Sequence, residues 1–71
     1  MSADEMFEEL RYKKAESEIE VIYTKDIDVI YIDKQIRLFA IYCNNQKIVP
    51  KTFNAYELEA LYKKCEELGW I

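Results

Sequence analysis

The sequence predicts an α+β domain: an N-terminal helix, a three- to four-stranded antiparallel β-meander, and a C-terminal helix packed on one sheet face. Three observations carry this expectation. A residue that caps a helix is followed three positions later by glutamate at both ends of the chain, as Ser2 with Glu5 and as Asn54 with Glu57. Between these ends lie short runs of β-branched and aromatic residues, joined by polar links too short for a crossover helix. Finally, 71 residues with one glycine and one proline leave room for a single small domain, residues 1–71, whose core must use nearly every apolar side chain.

The first helix is expected over residues 3 to 10. Met6, Phe7 and Leu10 recur at helical spacing, Met1 and Met6 stand at the staple positions, and Asp4 and Glu5 meet the positive end of the helix dipole. So short a helix is marginal in water unless its apolar face is docked.

Residues 19 to 24 and 27 to 32 read as paired strands, each containing the tripeptide Val-Ile-Tyr, and Thr24-Lys25-Asp26 links them as a hairpin. Period-two alternation groups Ile19, Val21 and Tyr23 on one face of the first strand and Ile27, Val29 and Tyr31 on one face of the second. Ile22, Ile30 and Ile32 lie opposite, and the pattern leaves the choice of core face open. After the turn Asp33-Lys34-Gln35, residues 36 to 43 form the longest strand, apolar on both sides as a central strand is. Asn44-Asn45 suits a turn, and residues 46 to 49 return as a fourth strand that Pro50 ends or marks as an edge.

The last helix starts at the Asn54 cap, with Phe53 and Leu58 at the staple positions. Leu58, Leu61, Tyr62, Cys65 and Leu68 form its expected apolar stripe. Gly69 takes the left-handed C′ position and Trp70 folds back on the last turn. The hexapeptide Phe7-Glu8-Glu9-Leu10-Arg11-Tyr12 repeats the pattern of Cys65-Glu66-Glu67-Leu68-Gly69-Trp70, so both helices are expected to end alike, with Arg11 in place of the glycine.

Met6-Phe7-Glu8-Glu9-Leu10-Arg11-Tyr12-Lys13-Lys14, the tyrosine-rich hairpins, Glu57-Leu58-Glu59-Ala60-Leu61 and the run Lys63 to Trp70 resemble a group of small uncharacterised proteins carried by prophages and genomes of low-GC Gram-positive bacteria. Members of that group have glycine where this chain has Arg11. The resemblance implies an accessory protein of a mobile element, whose partner is a host or phage protein, and brings no activity with it.

Chemistry is constrained mainly by what is missing. The chain has no histidine, which removes the commonest general base and most zinc geometries. Two cysteines without histidine suggest two buried thiols in a reducing compartment rather than a disulfide framework. Asp26, Asp28 and Asp33 are the best carboxylate group, with Asp26 and Asp28 on one strand face, but turn formation and solubility explain them more simply than a metal does. No catalytic, cofactor-binding or metal-ligating residue is therefore expected. Nor does any stretch reach membrane-spanning length, and the acidic start is unlike a signal peptide, so the expected location is the cytoplasm.

Net charge is -4, with acidic ends and a mildly basic middle, which disfavours duplex DNA. Two helices can cover only one sheet face, so apolar residues on the other must stay exposed. The candidate interaction surface is drawn from Ile22, Ile30, Ile32, Phe39, Ile41, Tyr31 and Tyr42. The expected function is a non-enzymatic protein-interaction module. The alternatives are a single-stranded nucleic-acid-binding protein stacking bases on Tyr31, Phe39 and Tyr42 beside Arg37 and Lys34, or a homodimer pairing along the Ile19 to Thr24 strand.

Overall fold

A computed structural model describes residues 1–45 and 47–71. The order of elements is α1 (Ala3–Glu9), β1 (Lys13–Glu16), β2 (Glu20–Lys25), β3 (Asp28–Asp33), β4 (Leu38–Asn45), β5 (Lys47–Pro50) and α2 (Ala55–Glu67). The strands form one antiparallel sheet in the order β1-β2-β3-β4-β5, with both helices on one face. The α+β order and the single covered face are as expected, but the sheet has five strands. The expected dimer edge is overturned with the strand count, because the Ile19 to Thr24 strand is interior: β1 lies against it, with Lys13 opposite Thr24 and Glu16 opposite Val21.

β1 escapes a sequence reading because Lys13-Lys14-Ala15-Glu16 has no apolar alternation and is exposed throughout. Backbone pairing to β2 and ion pairs hold it: Lys14 Nζ lies 2.5 Å from Asp4 Oδ2, and Lys34 Nζ lies 2.6 Å from Glu16 Oε2. Its charges also make a poor template for further strands.

Both helices start and stop by the same local chemistry. In α1 the Glu5 N–H donates to Ser2 Oγ (3.1 Å) and the Ser2 N–H to Glu5 Oε1 (2.8 Å). In α2 the Glu57 N–H donates to Asn54 Oδ1 (2.8 Å) and the Asn54 N–H to Glu57 Oε1 (3.0 Å). At the far ends, Arg11 N–H donates to the Glu8 carbonyl and Tyr12 N–H to that of Phe7, while Gly69 N–H donates to Glu66 and Trp70 N–H to Cys65. These are the two bonds of a Schellman motif, made twice.

Arg11 (φ 72) and Gly69 (φ 78) are both left-handed, which strains only the residue with a side chain. Arg11→Gly is therefore expected to stabilise the fold by about 1 kcal/mol and Gly69→Ala to destabilise it by about 1 kcal/mol. A Cβ at Gly69 would meet no atom within 4 Å, so that cost is backbone strain alone. Urea unfolding of the two variants checks the signs; equal midpoints would show that the two helix ends do not share this geometry when the protein folds.

The β2–β3 hairpin closes with a two-residue link, Asp26-Ile27, in which Asp26 takes φ 53. Such a link pairs odd with even positions, so Tyr23 lies opposite Ile30 and Ile22 opposite Tyr31. The expected grouping of Ile22 with Ile30 and Ile32 is thereby corrected. The next turn is four residues long, so β4 begins at Leu38, two residues later than expected, and Ile36 sits in the turn, exposed. The expectation for Gln46 lies outside the described residues.

The core contains Phe7, Tyr12, Val21, Tyr23, Ile30, Ile32, Ala60 and Leu61, with Phe53, Leu68 and Trp70 packed against it. Here α2 departs from expectation. It buries Glu57, Ala60, Leu61 and Lys64, while Leu58 and Tyr62 stand outward at 55% and 58% exposure. The helix is turned from its purely apolar stripe because Glu57 and Lys64 find partners inside.

Candidate interaction surface

Among the described residues two polar centres are built on tyrosines of the core. At one end, Glu57 is 2% exposed and accepts from the Tyr12 hydroxyl, from Lys51 Nζ (3.0 and 3.1 Å) and from its own cap residue. Burial pushes its carboxyl up, but the bonds from Tyr12, Asn54 and Lys51 and the Lys51 charge outweigh burial and hold it below the usual glutamate value. Burial and then Glu57 drive the Tyr12 phenol far above its usual range, so it remains a donor. Lys25 Nζ lies 4.8 Å from the centre of the Tyr12 ring.

At the other end, Asp4 accepts from the Tyr23 hydroxyl (2.7 Å), Lys14 and Lys64 (3.5 Å). Burial raises its carboxyl, and those three partners together bring it below its usual value. Each helix thus offers a first-turn carboxylate to a sheet or loop tyrosine. This locks the ionised and neutral forms respectively, which makes the centres anchors between layers.

The turn carboxylates do not converge. Asp33 Oδ1 accepts from the N–H groups of Gln35 (2.9 Å) and Ile36 (3.1 Å), Asp26 is exposed in its turn, and Asp28 accepts from Cys43 Sγ (3.2 Å). Among the described residues no cluster of three acids or cysteines could hold a metal. Both cysteines are unbridged and half-buried rather than buried. The bond to Asp28, then burial, pushes the Cys43 thiol up, and burial does the same for Cys65. Both shifts favour the protonated thiol.

The seven candidate surface residues divide between the two faces. Ile30 and Ile32 are fully buried beneath the helices and Ile41 packs against that core, so these three leave the candidate surface; Phe39 shares their face but stands at its margin, 45% exposed, apart from the uncovered face. Ile22, Tyr31 and Tyr42 lie together on the uncovered face, Ile22 opposite Tyr31 and Tyr42 opposite Val29. Alternation adds Ala15, Leu38 and Ala40 to this face, and Leu38 is 51% exposed. Val29 is only 8% exposed although no helix covers it; its shielding comes from neighbours on its own face.

The stacking platform expected of Tyr31, Phe39 and Tyr42 is broken, since Phe39 points the other way. Lys34, one of its expected basic residues, is engaged by Glu16 and the Ser17 carbonyl. One feature had no signal in the sequence: β5 pairs only with the later half of β4, from Tyr42 to Asn45. Among the described residues, Leu38 to Ile41 therefore have a strand neighbour on the β3 side alone. Compared with protein-family models, curated proteins and solved structures, the chain matches none.

Proposed function

We propose that this protein is a non-enzymatic protein-interaction module that takes its partner on the uncovered sheet face. The observation that carries the reading is the strip formed by Ile22, Val29, Tyr31, Leu38, Ala40 and Tyr42, which crosses three strands without a covering layer. Tyrosines with half-buried rings and a polar tip suit such a contact, because they present large area at low entropic cost. The one-sided neighbourhood of Leu38 to Ile41 adds backbone groups that an extended segment of the partner can pair with. A host or phage protein is the partner that the sequence resemblance suggests.

Base stacking is the weaker reading, since its aromatic residues lie on opposite faces. The test is affinity capture on the immobilised protein, with and without nuclease, alongside a Tyr31→Ser/Leu38→Ser variant of unchanged circular dichroism. A stoichiometric protein that resists nuclease and is lost with the variant supports the reading. Nuclease-sensitive capture, or capture indifferent to the variant, overturns it. If light scattering shows a doubled mass that the variant abolishes, the partner on this face is a second copy.

A further inference from the structure

The opposite side of the molecule carries a second apolar surface, independent of the sheet face. An open trough of about 460 Å³ runs along the seam of α1 and α2, lined by Met6, Leu58, Glu59, Tyr62, Lys63 and Glu66. A hollow of about 210 Å³ continues it, sharing Met6 and Glu59 and adding Tyr56 and Glu9. Its apolar floor is made by the residues that α2 turns outward in order to bury Glu57 and Lys64.

Charge on the rim is one-sided. Three carboxylates, Glu9, Glu59 and Glu66, line it against one ammonium, Lys63, and among the described residues none of the three is in an ion pair. Glu9 and Glu66 also occupy the last turns of their helices, where the dipole disfavours an anion. Their neighbour Glu67 has an internal purpose, accepting the Ala3 N–H at 2.9 Å and so satisfying a free donor at the start of α1. Glu9 and Glu66 have no such bond among the described residues.

We infer that the α1–α2 trough is a docking groove for a cationic amphipathic helix of a partner protein. Lysines or arginines on its flanks would pair with Glu9, Glu59 and Glu66, and its apolar face would enter over Met6, Leu58 and Tyr62. A helical occupant suits the trough because helix walls offer no free backbone groups to pair with. A helix satisfies its own N–H and C=O groups, whereas an extended segment would lose theirs to burial. Methionine in the floor adapts to the shape of what enters. With the sheet face occupied on the other side, the protein would join two partners.

The probe is a Leu/Lys amphipathic peptide of about 14 residues, long enough for partial helicity. Its control is a Ser/Lys peptide of equal length and charge. Each is titrated into the isotope-labelled full chain and followed by NMR. The Leu/Lys peptide is expected to bind saturably and shift Met6, Leu58, Glu59 and Tyr62. Leu58→Ser and Tyr62→Ser should each weaken it by roughly tenfold with circular dichroism of the folded protein unchanged. Glu59→Gln/Glu66→Gln should weaken it and flatten its salt dependence. The inference is overturned if the Ser/Lys peptide binds as well, if the shifts map to Ile22, Tyr31 and Tyr42, or if no saturable binding occurs. It is equally overturned if Tyr62→Ser converts a dimer to a monomer, since the trough would then be closed by a second copy.

Discussion

Glu57→Ala is expected to destabilise the protein by about 3–5 kcal/mol, the cost of leaving a buried partner charge uncompensated. The substitution leaves the Lys51 ammonium, whose side chain is 6% exposed, without a counter-charge and bonded only to the Thr52 carbonyl, and it removes the acceptor of the Tyr12 hydroxyl. It also removes half of the α2 capping box. For a chain of this size the whole stability is about 4–10 kcal/mol, so the substitution should remove about half of it. Glu57→Gln keeps an acceptor for the cap and should lose less. Urea titration of both variants measures the difference, and a loss below about 1 kcal/mol for Glu57→Ala would show that the centre is solvated and contributes as an exposed pair does.

The same centre sets a pH dependence. Glu57 has a folded value below its unfolded one, so the unfolded state binds the proton more readily, and its contribution is complete above the ordinary glutamate value of about 4.3. It is lost as pH falls through the lower folded value. Asp4, Glu5 and Glu16 are shifted in the same direction and add to the acid sensitivity. In Glu57→Gln the stability should fall less steeply below about pH 4.3 than in the parent, because one of these linked protons is gone.

Phe7→Ala should cost about 3–5 kcal/mol as well, by a different route. Phe7 is fully buried, stacked on Tyr23 with ring centres 3.9 Å apart and edge-on to Tyr12 at 5.7 Å. It is the large apolar side chain that a seven-residue helix, too short to persist alone, packs on the sheet beside the Asp4 anchor. Its removal opens a cavity and loosens the two tyrosines that hold the polar centres. The melting temperature should fall by at least about 12 °C, at roughly 4–8 °C per kcal/mol for a domain of this size. Phe7→Leu, which keeps most of the volume, should fall by far less. Equal melting of Phe7→Ala and the parent would mean that α1 is undocked.

What could be read from the sequence was local. The caps at Ser2 and Asn54, the matched ends at Arg11 and Gly69, and the Val-Ile-Tyr strands each depend on residues within about six positions of one another, where hydrogen-bond geometry follows from residue type. Ile22, Tyr31 and Tyr42 were legible as candidates, yet they could not be separated from Ile30, Ile32, Phe39 and Ile41. That separation depends on whether each hairpin link holds an even or odd number of residues, and one residue more at Asp26-Ile27 would exchange the two faces.

Tertiary structure decided the rest, because the deciding partners are far apart in the chain. β1 has no apolar signature and exists through pairing with β2 and through ion pairs to Asp4 and Lys34. The rotation of α2 depends on Tyr12 and Lys51 reaching Glu57 and on Asp4 reaching Lys64, five residues from four different segments. Hydrophobic periodicity ranks Leu58 and Tyr62 above Glu57 and Lys64 for burial. A fully bonded carboxylate and a paired ammonium reverse that ranking, since burial penalises a charge only when nothing inside the fold replaces its water.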